Sequence, residues 1–222
     1  MAAKARTPFH FHTSSNLIKI TNQKAHTLKD FYDGISQCTD ASIFFHTFQS
    51  LHDHHFITEG FSNDFAQWIS ESCEEDKLAE QFAALDIRAY TTIDGLRADL
   101  IAICEKFFSG PDTQTQTLEH DPFYFLESVN VVRPTGLSVT DLPEFCATLK
   151  EVSVHTIHFH FIESRLRLNL KTNDFSIWLA EELNVPDLAE EINEIDIYTN
   201  TLEGIRQHLT NAAYRWLGKY GT

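Results

Sequence analysis

The sequence predicts a mainly α-helical protein of two homologous multi-helix repeats packed about a pseudo-two-fold axis, each opening on a short extended segment. Three observations lead there. Ser42-Ile43-Phe44-Phe45-His46 returns 114 residues later as Thr156-Ile157-His158-Phe159-His160. Helix-capping pairs recur at matching places in both halves of the chain. Apolar residues fall at the three- and four-residue spacing of buried helix faces. With 222 residues, eighteen of them phenylalanine, the chain has ample material for a packed core. The predicted units span residues 8–108 and 122–218, joined by a polar linker over 109–121.

The elements follow in order. Pro8-Phe9-His10-Phe11 and Pro122-Phe123-Tyr124-Phe125 alternate briefly, as a short strand does, although a helix start also fits them. Thr27 and Asp30 have capping-box spacing, as do Asp141 and Glu144, so a helix starts at each. Leu28, Phe31 and Ile35 then face inward, matched by Leu142, Phe145 and Leu149. Phe44, Phe48 and Leu51 give the central stretch of the first unit a helical period. Its counterpart is ambiguous, because Ile157, Phe159 and Phe161 alternate while Phe159, Ile162 and Leu166 also fit a helix; helix is the reading adopted for both. Asn63 and Asn173 cap the next helices, whose buried stripes carry Trp68 and Trp178. Short helices follow from Lys77 and from Asp187. A longer one closes each unit, capped from Thr91 and from Asn200.

Composition narrows the function classes. Net charge is −15, with nine basic and fifteen acidic groups in residues 1–111 (−6) and eight and seventeen in 112–222 (−9). Such a chain repels phosphate backbones and anionic lipid, so neither nucleic acid nor membrane is an expected partner. No apolar run approaches a membrane span and no leader is seen, which implies a soluble cytoplasmic protein. Cys38, Cys73, Cys104 and Cys146 form no Cys-x-x-Cys, so they read as buried free thiols.

The Phe-x-Phe opening, the Thr27-Leu28-x-x-Phe31 helix start, Ser42-Ile43-Phe44-Phe45-His46-Thr47 and Asn63-Asp64-Phe65-Ala66-x-Trp68 resemble an uncharacterised bacterial family. It is the domain-of-unknown-function family numbered 5752, here as two tandem diverged copies. The resemblance is best over residues 8–108. It implies no activity of its own, only an accessory role beside carbohydrate-metabolising enzymes. The family's Ser-Ile-Tyr-Tyr-His-Thr-His pattern departs here at Phe44, Phe45 and Phe48, and Phe48 stands where a second histidine would be.

The candidate pocket residues are His46, His160, Asp64, Asp174, Trp68 and Trp178. His46 and His160 are the histidines that correspond between halves; each is either a hydrogen-bonded core imidazole or part of a pocket. Asp64 and Asp174 sit in first helical turns, where caps are commoner than catalytic acids. Trp68 and Trp178 could stack on a sugar ring but lie in apolar stripes. His52, His55 and Glu59 share a helical face and could bind a divalent metal, although no His-Glu-x-x-His is present. No cofactor is otherwise expected. The leading function is a non-catalytic binding or regulatory module with a protein partner, and self-association stays open. The alternative is a metal-dependent enzyme built on the histidines around His46.

Overall fold

The computed structural model describes residues 4–49, 61–110 and 121–220. Long strands replace the short extended segments. Strand β1 runs Lys4–Ala25 and strand β2 runs Phe123–Asp141, and they pair in a two-stranded sheet. Thr21 Oγ1 donates to the Phe125 carbonyl at 2.5 Å and Thr135 Oγ1 to the Phe11 carbonyl at 2.8 Å. Partners whose numbers fall on one strand as they rise on the other make the pairing antiparallel. The fold is therefore a mixture of helices with an antiparallel ribbon, which corrects the mainly α reading and its two-repeat architecture.

The physical reason lies in the strand sequences. Phe9 and Phe11 are buried and then Ser14; Phe123 and Phe125 are buried and then Ser128. A step of three between buried positions flips the inward face, as a bulge does, so the period of two lasts only briefly. Pro134 and Gly136, the latter at φ +81°, suggest a turn but sit inside β2. A two-stranded sheet has only edge strands, where proline and a left-handed glycine are tolerated.

Two compact units emerge: residues 16–129, and residues 1–15 with 130–222. Segments 8–15 and 122–129 thus belong to units other than those the sequence boundaries assign. Much of the 109–121 linker lies outside the described residues.

In the unit of residues 16–129, helix α1 (Leu28–Gln37) begins at a complete capping box between Thr27 and Asp30. Helix α2 (Asp40–Phe44) runs into a π-helical turn over Phe45–Gln49. Asn63 caps α3 (Asp64–Cys73), its Oδ1 accepting from the Ala66 amide at 2.9 Å. Helix α4 spans Asp76–Ala83. Helix α5 (Ile93–Phe108) is capped by Thr92, one residue later than the sequence suggests. Phe31 is the centre of the core, with the rings of Phe65, Trp68, Phe123 and Phe125 at 5.4, 5.1, 5.3 and 6.0 Å. Helix α1 passes so close to Phe125 that a Cβ at Gly34 would overlap its ring.

In the other unit, α6 (Leu142–Leu149) is capped by Asp141. Helix α7 (Val154–Ile157), a π-helical turn over His158–Glu163 and α8 (Ser164–Leu168) make one continuous helical stretch, so the alternating pattern there is not a strand. Asn173 caps α9 (Asp174–Glu181), and α10 (Pro186–Asn193) follows. Helix α11 (Leu202–Tyr220) starts on Thr201 rather than Asn200, its Oγ1 accepting from the Gly204 amide at 3.0 Å. Phe9 of β1 fills this core against Phe175 at 5.3 Å and Trp178 at 5.7 Å. Among the described residues no helix is long and apolar enough to cross a membrane. The four thiols are free, and burial pushes Cys73 and Cys104 up to about 12 and Cys146 to about 11.

Candidate functional site

His160 lies in a helical stretch packed on every side: residues 156–165, through the π-helical turn His158–Glu163 and beyond both its ends, are all buried. His160 Nδ1 donates to Asp174 Oδ2 at 2.6 Å, and its Nε2 accepts from the His12 backbone amide at 2.8 Å. An amide nitrogen only donates, so Nε2 carries no proton and the ring is neutral with its hydrogen on Nδ1. Burial pushes the His160 pKa below its ordinary value, against the pull of Asp174, while Arg167 and His12 push the same way as burial. Arg167 donates to the same Asp174 oxygen and lays its guanidinium 4.7 Å from the Phe159 ring centre.

The unit of residues 16–129 holds a similar arrangement. His46, 2 % exposed, donates from Nδ1 to Asp64 Oδ2 at 2.8 Å and accepts at Nε2 from the Leu126 amide at 2.9 Å. Trp68 Nε1 donates to the Asp121 carbonyl at 3.0 Å, and Trp178 Nε1 to the Thr7 carbonyl at 2.9 Å. Both indoles are buried. Trp68 stacks on Phe31 and Trp178 lies against Phe145 at 5.6 Å, so ring faces and N–H groups alike are used in packing. His52, His55 and Glu59 lie outside the described residues. Among the described residues no group of three or more histidines, cysteines or carboxylates is placed to hold a metal ion.

A cleft of about 500 Å³ opens beside His160 in the unit of residues 1–15 and 130–222. One side is strand β1, with Thr7 and His10; another is α9, with Asp174, Ile177, Trp178 and Glu181. Phe159, Arg167 and, from β2, Val132 also line it. Positions 174, 177, 178 and 181 share one helix face by their three- and four-residue spacing, which sets apolar side chains between two carboxylates. Glu182 follows at the end of this helix, where its Oε2 accepts from the Arg6 and Thr7 amides at 3.0 and 2.9 Å. Those bonds hold its carboxyl below the usual range.

The model of DUF5752, a family of unknown function, matches residues 6–213. The chain belongs to this family. The match runs through the chain as one domain, which replaces the expectation of two tandem copies. A solved structure, that of OrfY from Thermoproteus tenax, is similar to the chain with a TM-score of 0.83 and 26 % identity. The likeness covers 96 % of this chain and 97 % of that one. Among curated proteins nothing matches.

Sequence reasoning about this DUF5752 chain missed the strand partners of both histidines, and it missed Arg167, Glu181 and Glu182. It also missed a buried network around Glu163. Glu163 Oε1 accepts from His158 Nδ1 at 3.0 Å and from Ser14 Oγ at 3.2 Å, and Oε2 accepts from Asn130 Nδ2 at 2.7 Å. Burial raises the Glu163 pKa, but His158, Ser14 and Asn130 outweigh it and hold the carboxyl below its ordinary value. The grouping of His155, His158, His160 and Glu163 in the sequence was the one available signal.

Proposed function

We propose that this DUF5752 chain is a non-catalytic binding or regulatory module that works through a protein partner in the cytoplasm, as an accessory to a carbohydrate-metabolising enzyme. The observation that carries the non-catalytic reading is the closed state of both histidine–aspartate pairs. A histidine acting as general base presents one ring nitrogen to its substrate, with the carboxylate orienting the other. Here the second nitrogen of His160 accepts from His12 and that of His46 from Leu126. The pairs fasten strands rather than address a substrate. A net charge of −15 favours a partner with a basic surface and fast, salt-sensitive encounter. The link to carbohydrate enzymes rests on the family resemblance.

The test titrates the purified chain into a glycosyltransferase of the same organism, reading binding heat together with kcat and KM of that enzyme. Saturable binding that weakens with salt and shifts either constant supports the module. If the chain alone turns over the sugar donor, and His160→Ala abolishes that turnover at unchanged melting temperature, the reading is overturned in favour of an enzyme.

A further inference from the structure

We infer that the cleft beside α9 is a site for an alkyl guanidinium or alkylammonium group, carried either by a small organic amine or by a basic side chain of a partner. The cleft is concave and has an aromatic and aliphatic lining. Arg167 lies in its wall with its guanidinium over Phe159 and its N–H on Asp174. That is the double recognition of an organic cation by a ring face and a carboxylate.

Charge decides the class of ligand. The charged lining side chains are Arg167 against Asp174, Glu181 and Glu182, a formal sum of −2 with the lining histidines neutral. Arg167 is already paired with Asp174, and Glu182 takes the Arg6 and Thr7 amides with the Arg6 charge beside it, which leaves Glu181 as the carboxylate without a lining cation. An anion would enter against this field and against the −15 of the whole chain; a cation is drawn in by both. Half-buried Ile177 stands between Asp174 and Glu181 on the cleft face of the helix. It offers apolar surface to a methylene stem whose charged end reaches a carboxylate. A neutral polyol would find acceptors here but would gain nothing from the charge.

The inference concerns the cleft and holds whether or not the proposed enzyme partner is the right one. It is tested on the full chain by calorimetric titration with spermidine and with blocked arginine (N-acetyl-arginine methylamide). Glucose and inorganic phosphate serve as neutral and anionic probes. Glu181 is exposed, so Glu181→Gln leaves the fold intact; Glu151→Gln, a second exposed acid of the same unit that does not line the cleft, is the control. The expected result is saturable one-to-one binding of a cationic probe. It weakens on the order of fivefold in Glu181→Gln and is unchanged in Glu151→Gln. Tighter binding of spermidine assigns the site to free amines; tighter binding of blocked arginine assigns it to a partner's side chain. Failure of both cations to bind at millimolar concentration overturns the inference. So does equal binding of glucose or phosphate, or a Glu181→Gln variant that binds like the wild type. Enzyme binding that survives such a failure would leave the module reading standing and this site refuted.

Discussion

Removing the His160 imidazole should destabilise the protein severely. The side chain is 3 % exposed and its ring lies 4.9 Å from Phe9, 4.9 Å from Phe159 and 5.5 Å from Phe175. His160→Ala leaves a cavity among these rings, worth about 2–3 kcal/mol by analogy with other large-to-small core changes. It also strips the part-buried His12 amide of its acceptor, at about 1–2 kcal/mol. The sum, about 3–5 kcal/mol, is a large share of the roughly 5–15 kcal/mol that holds a domain folded. Urea unfolding followed by tryptophan fluorescence measures the total. Hydrogen exchange at the His12 amide isolates the strand contact and should accelerate more than exchange in α11. His160→Gln keeps an acceptor on a flexible stem and should recover part of the loss. A loss below about 1 kcal/mol, with His12 exchange unchanged, would refute the strand-fastening role.

Three further outcomes are expected. Stability should fall on acidification in two stages. The unfolded chain takes up a proton at the His160 position below its ordinary 6.5 while the folded ring resists, and Glu163, held below 4.5 in the fold, is protonated later. Both therefore contribute stability that is present above those values and lost as pH falls, so urea midpoints flat from pH 7.5 to 4 would contradict it. Gly34→Ala, which in an exposed helix would stabilise by about 1 kcal/mol, should here cost about 1–3 kcal/mol because of the Phe125 ring; a raised melting temperature would show that α1 can shift. Residues 16–129 expressed alone should unfold cooperatively, whereas residues 1–110 lack Phe123, Phe125 and the Leu126 amide that completes His46. Equal urea midpoints for the two fragments would show that this strand segment is dispensable.

What the sequence made legible was local. Thr27 with Asp30, Asn63, Asp141 and Asn173 cap the helices they were expected to cap, because a cap is a contact across three residues. Where two capping residues adjoin, as in Thr91-Thr92 and Asn200-Thr201, the sequence offered no means of choosing, and the later hydroxyl does the capping in both. The strands escaped because their inward face flips after Phe11 and after Phe125, and because Pro134 and Gly136 imitate a turn. The site escaped for a different reason. Nothing near His160 in the chain points to His12, 148 residues away, or to the carbonyl of Thr7 that receives the Trp178 N–H. A histidine followed by a first-turn aspartate in the next helix was visible; which partner its other nitrogen would find was not.

That second partner explains why histidine suits this position. Asparagine could accept from the strand amide, but its apolar surface is too small to pack among Phe9, Phe159 and Phe175. Phenylalanine would fill the space and leave the amide of His12 unpaired. Imidazole does both, provided its proton stays on Nδ1, and Asp174 fixes it there. Asp174 also lines the cleft and holds Arg167, so one carboxylate orients the strand-fastening ring and shapes the cation site. Substituting Asp174 would therefore disturb fold and binding together, and a lost signal there would identify neither cause. Glu181, two helical turns further along the same face and exposed to solvent, touches the binding role alone. The two roles separate at that residue.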